Sequence, residues 1–429
     1  MALVRADQAT AKKRQPKPVE YNILLTATLC LLAAGAVMVY SASSARTLLE
    51  SGGDGTGYLV KYVVYGAIGL VVMQALARGG GLDFVRRITP GLLAIALVLL
   101  VAVKLPGVGV RINGAQRWLS AGPLQFQPSE LMKLALVLYA VSLLAAHPSK
   151  LRGLVSLRSP LLIVSCAAIV LIASQPDLGT ALVIVFTLFT LLLVAGVPMR
   201  VLYTMAGIAA AIVLVFVLIE PYRAARLTAF LNPWAHSDSI GFQSVQGQIA
   251  LGSGGLFGVG LGESVQKVFY LPEAHTDFIL AVIGEELGVA GICGVLFLYG
   301  LIGYAGLRTA KAAATRYAQL LAAGLTALIL CQALLNVFAV LGIAPLTGVP
   351  LPFISSGSSS LLVLLATMGL LLNVATRSMS HLAALPEQDS DLVDARGSGR
   401  VQSAHSGRRD GRARGARAGG RRAAEGGRG

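Results

Sequence analysis

The sequence predicts an all-α membrane protein with about ten transmembrane helices. Hydrophobic residues make up 55% of its 429 residues and charged residues only 13%, and the mean hydropathy is +0.73. Soluble domains carry about twice that share of charged residues, so a soluble fold is excluded. Apolar runs long enough to cross a bilayer recur along the chain. The predicted spans are 22–42, 58–77, 88–104, 128–146, 160–174, 177–196, 201–220, 276–305, 317–343 and 357–377.

The distribution of Lys and Arg predicts that both termini are cytoplasmic. Short cytoplasmic loops carry more Lys and Arg than external ones, and the N-terminal tail 1–20 is basic. The loop 221–275, between spans seven and eight, then lies outside, and it is much longer than a connection requires, which is typical of a functional loop. Its apolar spacing at Phe242, Val245 and Ile249 predicts a surface helix. The other basic loops are 78–87, 147–159, 197–200 and 306–316.

The net charge of +15 does not predict a nucleic-acid partner, because the basic residues lie in the tails and in loops between spans. Residues 21–380 form the predicted membrane domain. The Gly- and Arg-rich segment 381–429 has the composition of a disordered cytoplasmic tail. This tail would contact anionic lipid or dock onto a cytoplasmic partner. No disulfide or metal cluster is predicted, because each cysteine lies in an apolar run: Cys30, Cys166, Cys293 and Cys331.

The stretch Gly252–Gly288 joins a Gly-rich polar segment directly to span eight. With Thr276 as the helix cap, Asp277 lies in the first helical turn, where free N–H groups and the helix dipole favour a carboxylate. Small residues follow on the same helical face, so a neighbouring helix or a ligand could approach the backbone below Asp277. These residues are Ala281, Gly284, Gly288 and Gly291.

Other ionisable residues lie within the predicted spans, where they are costly and are usually functional. Glu130 falls in the first turn of span four, and Lys133 lies one turn further on, close enough to form an ion pair. Asp177, in the turn between spans five and six, either caps span six or lines a cavity. Glu285 and Glu286 lie about 12 Å below Asp277 on different faces, and structural hydrogen bonding is expected for both.

Arginines predict a phosphate-binding site just outside span seven. Arg223 and Arg226 would share one helical face, and guanidinium groups bind phosphate oxygens in a bidentate manner. Contact with lipid head groups is the alternative for this pair. Arg117, beside Trp118, has the same two interpretations. His275 would act as an acid or base, or it would order the loop before Asp277.

Several motifs in a fixed order carry a resemblance that covers about residues 21–377. They are Arg117–Leu119, Phe126–Glu130 with Lys133, Gln175–Thr180, Gly254–Gly262, Leu271–Phe278, Gly284–Gly288, Asn336 and Pro345–Ser360. With these motifs the chain resembles the SEDS family (shape, elongation, division and sporulation) of polytopic peptidoglycan glycosyltransferases, which includes FtsW and RodA. It departs from the family at Ser355–Ser360, which lacks the usual Tyr and one Gly, and at Phe242, where Tyr is usual.

The resemblance implies polymerisation of lipid II outside the cytoplasmic membrane, with Asp277 as the catalytic carboxylate. Arg223, Arg226 and Lys267 would hold the pyrophosphate, and a divalent cation such as Mg²⁺ or Mn²⁺ would share its charge. The residues themselves fit this chemistry, because an attacking sugar hydroxyl needs a base and a pyrophosphate needs cations. The residues expected to support the cavity are Glu130, Lys133, Asp177, Arg117, Gln243, Glu273, His275, Glu285 and Ser355.

The resemblance also implies a partner, a class B penicillin-binding protein with transpeptidase activity. The division branch is expected rather than the elongation branch, because Leu271–Gly288 reads like the FtsW pattern and both tails are extended and basic. Septal localisation follows, with the C-terminal tail binding other division proteins. A lipid II flippase is the main alternative activity. Transporters usually bind substrate near the midplane between repeats, whereas the charge here lies near one surface and no repeat is evident.

Overall fold

The computed structural model describes residues 17–51, 55–79, 81–112, 115–121, 124–147, 159–219, 225, 228–268 and 270–382. Most of the predicted tails, 1–16 and 383–429, therefore lie outside the described residues. The main helices are α1 (Val19–Ser51), α2 (Gly57–Arg78), α3 (Leu82–Ala102), α4 (Pro128–Ala146), α5 (Pro160–Ala173), α6 (Leu178–Ala195), α7 (Met199–Ile219), α8 (Phe242–Ser253), α9 (Ile279–Ala312), α10 (Arg316–Val340) and α11 (Ser358–Leu382).

The helices confirm a polytopic membrane protein. Within the described ranges, eight helices are long and apolar enough to cross a membrane: α1, α2, α3, α4, α6, α9, α10 and α11. Two shorter apolar helices, α5 and the first part of α7, account for the remaining predicted spans. The surface helix predicted in the long loop is also present as α8, in which Val245 is buried. Each predicted span therefore coincides with one helix.

Several helices extend beyond the predicted spans. Helix α1 continues to Ser51, and α9 continues to Ala312, because hydropathy marks only the apolar part of a helix whose hydrogen bonds continue into polar residues. Helix α3 begins at Leu82, although Pro90 lies inside it. A proline removes one backbone hydrogen bond, and membrane helices tolerate this loss when neighbouring groups compensate.

A small antiparallel sheet between α3 and α4 was not predicted. Its strands are β1 (Gly109–Ile112), β2 (Ala115–Ala121) and β3 (Leu124–Phe126), in the order β1-β2-β3. Leu119 pairs with Gly109 on one side and with Phe126 on the other. The strands are too short for a periodic signal in the sequence. The sheet places Arg117 close to the start of α4, which Pro128 opens at its first turn.

Helices α10 and α11 are the most enclosed of the spans that the structure describes. In the apolar window of each, 83% of the residues are buried within the protein, against 28% for α2, α3 and α9. Helices α2, α3 and α9 therefore leave much of their surface free for lipid, whereas α10 and α11 are enclosed by other helices. Polar residues on α10, such as Gln332 and Asn336, are buried for the same reason. They must find hydrogen-bond partners inside the protein.

Helix α9 is interrupted at Gly288, whose backbone has φ 67° and ψ −163°. The preceding loop replaces the lost helical hydrogen bonds. The N–H of Val259 donates to the carbonyl of Glu285 (2.9 Å), and the N–H of Val289 donates to the carbonyl of Gly255 (3.0 Å). The Gly-rich loop is thereby joined to the helix backbone at the interruption.

This close packing confirms the predicted approach of a neighbouring helix to the small-residue face of α9. A Cβ atom built on Gly284 would lie 2.5 Å from Leu251 of α8, and one on Gly288 would lie 2.4 Å from the backbone nitrogen of Gly258. The stripe of small residues is therefore filled by the protein's own helix α8 and the loop after it. Its glycines permit contact between two parts of the chain.

Replacing Gly288 with Ala should destabilise the protein by at least about 1–3 kcal/mol, because this backbone conformation is essentially restricted to glycine. Thermal unfolding of the purified protein in detergent measures the effect. Gly294→Ala is the matched control on the same helix, since a Cβ atom there would meet nothing within 4 Å beyond its own helical backbone. Equal unfolding temperatures for the two variants would contradict the requirement for glycine at the interruption.

Candidate active site

Asp277 lies in the turn Leu271–Phe278, immediately before α9. The prediction that Thr276 caps the helix is wrong, because α9 begins at Ile279 and the Thr276 hydroxyl turns back to the carbonyl oxygen of Glu273 (3.1 Å). The same hydroxyl lies 3.0 Å from Glu273 Oε2 and 3.2 Å from Asp277 Oδ1. Thr276 thus brings two carboxylates together at the end of the bundle predicted to be outside.

The main chain around Asp277 is held by side chains from α10 and from the loop before α11. The amide of Asn336 donates to the carbonyl of Asp277 (2.7 Å) and to that of Val349 (2.8 Å). The Ser355 hydroxyl donates to the carbonyl of Thr276 (2.5 Å). These bonds fix the backbone and leave the Asp277 carboxylate partly exposed.

His275 serves the same loop through its backbone and its ring. Its carbonyl accepts hydrogen bonds from the backbone N–H (3.1 Å) and the hydroxyl (2.9 Å) of Ser356. Its buried imidazole packs on Tyr58, with ring centroids 4.3 Å apart. Gln243 of α8 donates to the carbonyl of Pro272 (3.2 Å). The geometry thus gives His275 the loop-ordering role that was one of its two predicted interpretations.

Asp177 both caps α6 and joins a wider network. Its Oδ1 accepts from the N–H of Thr180 (3.2 Å), which makes it the N-cap residue. Its Oδ2 accepts from Gln127 (2.9 Å) and Ser129 (3.1 Å), and Arg117 lies 4.0 Å away. The cap interpretation of Asp177 is confirmed, and the carboxylate also connects the sheet to the starts of α4 and α6.

The segment Thr347–Val349 lies close to Gly179 at the start of α6 and to Asp277. A Cβ atom on Gly179 would lie 2.2 Å from the carbonyl oxygen of Thr347, and one on Gly348 would lie 3.8 Å from Asp277 Oδ2. Gly179, two residues after Asp177, therefore packs against this segment, and Gly348 of the same segment lies beside the Asp277 carboxylate.

Glu130 and Lys133 form the predicted ion pair, with 2.9 Å between their charged atoms. Both side chains are almost completely buried. Lys133 also donates to Gln332 Oε1 (2.7 Å), and the Gln332 amide donates to the carbonyl of Pro350 (3.0 Å). The pair therefore supports, through α10, the same loop that packs beside Asp277.

Lys267 and the two glutamates of α9 form a second buried network. The Lys267 ammonium contacts Glu286 Oε1 (2.8 Å), Ser41 Oγ (3.1 Å) and the carbonyl of Gly262 (2.7 Å). Glu285 accepts from the Ser264 hydroxyl (2.5 Å). All three ammonium donors of Lys267 are thus used within the protein. The structural hydrogen bonding expected for both glutamates is present.

Arg223 and Arg226, the other residues of the predicted phosphate site, lie outside the described residues.

Sequence reasoning placed Asn336 within a motif without assigning it a role, and it missed Gln332. Gln332 and Asn336 lie one helical turn apart in an otherwise apolar span. This spacing could have indicated their role, because two buried amides on one helical face require hydrogen-bond partners. Ser41 carries no such signal, since a single serine in an apolar helix is common.

The chain belongs to the family described as cell cycle protein (FTSW_RODA_SPOVE), whose model matches residues 22–380. It is 37% identical over 359 residues to the "Probable peptidoglycan glycosyltransferase FtsW" of Trichlorobacter lovleyi, covering 83% of this chain and 93% of that protein. It is also 37% identical over 372 residues to the "Stage V sporulation protein E" of Bacillus subtilis, covering 86% and 99%.

Two solved structures share the fold. The rod shape determining protein RodA of Thermus thermophilus matches with a TM-score of 0.60 and 29% identity, over 82% of this chain and 95% of that one. A chain from "Structural coordination of polymerization and crosslinking by a peptidoglycan synthase complex" matches with a TM-score of 0.67 and 29% identity, over 83% and 97%.

Replacing Asn336 with Leu should loosen the Asp277 loop, because two buried carbonyls lose their donor at about 1–3 kcal/mol each. Hydrogen exchange of the backbone amides in 271–278 should become faster. Asn373→Leu is the matched control, since the Asn373 amide also donates to backbone carbonyls, those of Leu76 and Gly79. Asn373 lies toward the C-terminal end of α11, whereas the loop with Ser355 precedes its N-terminal end. Unchanged exchange in the Asn336 variant, or an equal increase in both variants, would contradict this role.

Proposed function

We propose that the protein is a peptidoglycan glycosyltransferase that polymerises lipid II at the outer face of the cytoplasmic membrane. The observation that carries the proposal is the partly exposed carboxylate of Asp277, whose main chain is held by Asn336 and Ser355. The names of the FtsW relatives support the activity. A lipid-linked substrate would reach this end of the bundle from the membrane.

In the proposed reaction Asp277 is the general base. Its carboxylate takes the proton from the acceptor sugar hydroxyl as that oxygen attacks the anomeric carbon of the donor. The bond from this carbon to the pyrophosphate oxygen breaks, and the polyprenyl pyrophosphate leaves as an anion. One carboxylate is enough for this step because a pyrophosphate departs without protonation when its charge is neutralised, unlike the leaving group of a glycosidase.

The charge of the leaving group must be balanced by cations, and we assign this role to Arg223 and Arg226. A divalent cation would also balance it. Within the described residues no group of three or more His, Cys, Asp or Glu could hold a metal ion. Glu273 and Asp277, joined through Thr276, fit a Mg²⁺ or Mn²⁺ ion held mainly by the substrate phosphates. Dependence of the rate on added Mg²⁺ or Mn²⁺ tests this part of the proposal.

Asp277→Asn should reduce polymerisation of lipid II by about 10²- to 10⁴-fold, because the amide keeps the shape of the side chain and cannot take the proton. The assay uses purified protein in liposomes with labelled lipid II and a cognate transpeptidase partner, and it measures glycan length. Asp238→Asn is the control, because Asp238 is an exposed carboxylate of the same external loop. Its activity should equal that of the wild type.

Near-normal polymer from a folded Asp277→Asn variant would overturn the assignment of the base. The same liposomes separate the polymerase from the alternative flippase activity, since a flippase moves labelled lipid II across the bilayer without forming polymer. Transbilayer movement without any polymer from the wild-type protein would overturn the proposed function itself.

We further propose that the protein works with a class B penicillin-binding protein at the division septum. One structural relative belongs to a peptidoglycan synthase complex that coordinates polymerization and crosslinking, and this relationship supports the partner. The FtsW names of several relatives support the division branch over the elongation branch. The basic C-terminal tail would contribute to recruitment by binding acidic segments of other division proteins.

A fluorescent fusion of the full chain should localise to the septum. Deleting residues 387–429, which lie outside the described residues, should weaken this localisation and leave polymerisation in liposomes intact. Uniform localisation along the lateral wall would contradict the division role and would favour elongation.

A further inference from the structure

The ion pair between Lys267 and Glu286 lies inside the protein. Its charged atoms are 2.8 Å apart, and the side chains are 6% and 0% exposed. The Ser41 hydroxyl of α1 contacts both carboxylate oxygens of Glu286, at 2.6 and 2.8 Å. The carboxylate thus has an ammonium and a hydroxyl partner, which a buried charge requires.

This cluster joins three parts of the chain: the external loop, the interrupted part of α9 and α1. Neighbouring bonds strengthen the attachment of the loop. Glu285 accepts from the Ser264 hydroxyl (2.5 Å) and the N–H of Val265 (2.9 Å), and the N–H of Lys267 donates to Ser264 Oγ (3.3 Å). The segment Ser264–Lys267 is therefore fixed to α9 through both glutamates.

The fixed segment leads directly into the turn that carries Asp277. The N–H of Leu271 donates to the carbonyl of Gln266 (2.8 Å), so the turn Leu271–Phe278 begins where the fixed segment ends. At its other end the turn enters α9 at Ile279. Both ends of the Asp277 turn are thus attached to one helix, the first through Lys267 and the second through the chain itself.

We propose that Lys267 and Glu286, with Ser41, are positioning residues that set the location of Asp277 relative to α9. The proposal rests on the proposed transferase function, because it concerns the placement of its base. An apolar contact would allow the loop to shift along α9. The ion pair and three further hydrogen bonds, from Ser41 to Glu286 and from Lys267 to Ser41 and Gly262, hold the loop in one position. A displacement of about 1 Å at a catalytic group costs about 100-fold in rate.

A direct role of Lys267 in binding pyrophosphate would require its ammonium to leave Glu286. The carboxylate would then stay buried without its counter-charge, which is strongly unfavourable. The two roles predict different kinetics. A positioning pair affects kcat and acts only as a pair, whereas a phosphate ligand affects KM for lipid II and acts without Glu286.

The test compares Lys267→Met, Glu286→Gln and the double variant in the liposome assay with lipid II. We expect the double variant to unfold near the wild-type temperature, because it leaves no buried charge uncompensated. Its kcat should fall by about 10- to 100-fold with KM nearly unchanged. The effects on kcat should also be non-additive, with the double variant no worse than the Lys267 variant, because both substitutions remove the same interaction.

Ser41→Ala provides a mild variant that keeps both charges and folds even where a single charge removal prevents folding. It should lower kcat several-fold. The matched control is Arg308→Gln, because Arg308 pairs with Glu20 (3.3 Å) and so links the same two helices, α1 and α9, at their other end. This control should keep the wild-type kcat, which separates positioning of Asp277 from general loss of helix contacts.

Two results would overturn the positioning role while the wild type remains active. The first is wild-type kcat in the double variant and in Ser41→Ala. The second is a raised KM in Lys267→Met with normal kinetics in Glu286→Gln, which would assign Lys267 to the substrate phosphates. Absence of polymer from the wild-type protein would instead overturn the proposed function, and the positioning role with it.

Discussion

The site depends on one constraint: backbone groups of a non-helical segment need internal partners when water is scarce. The loops around Asp277 meet it with side chains from apolar helices and from the loop before α11. The amide of Asn336 and the hydroxyl of Ser355 hold the carbonyls of Asp277 and Thr276. On the far side of the same loops, hydroxyls of two buried tyrosines donate to the carbonyls of Phe353 and Pro352. These tyrosines are Tyr62 and Tyr299. These four residues are thus explained by backbone carbonyls that would otherwise be unsatisfied.

The same constraint explains the glycines of the external loop. For loop N–H groups to reach the carbonyls of Glu285 and Glu286, two backbones must approach without intervening side chains. A Cβ atom on Gly254 would lie 1.9 Å from the carbonyl oxygen of Gly284, and one on Gly258 would lie 2.1 Å from that of Glu286. The interruption of α9 and the Gly-rich loop therefore depend on each other, since each supplies the partners that the other lacks.

The sequence predicted the elements better than it predicted their contacts. Hydropathy located every span, because apolar length is a local property, and the spacing in the long loop located α8. The sheet between α3 and α4 was missed because its strands span only three to seven residues. The sequence shows the charge of Lys267, from which pyrophosphate binding was predicted, and cannot show that Glu286 and Ser41 surround it. The cap prediction was wrong because residues Leu271–Phe278 form a turn, in which Glu273 has φ 55°, and the helix begins only at Ile279.

The carboxylates around the candidate site differ in how far they are buried. Asp177, Glu130 and Glu286 are 4%, 2% and 0% exposed. Asp177 and Glu286 each bond a residue of another helix, Ser129 of α4 and Ser41 of α1, while Glu130 pairs with Lys133 within α4. Using one of them on a substrate would break a buried contact that the bundle needs. Asp277 differs from these three in its exposure: its backbone carbonyl accepts from Asn336, and its side chain is partly exposed. A base must meet the hydroxyl that it deprotonates within about 3 Å. A fixed main chain with an exposed side chain suits the role of base that we propose for Asp277, while the buried carboxylates hold its surroundings.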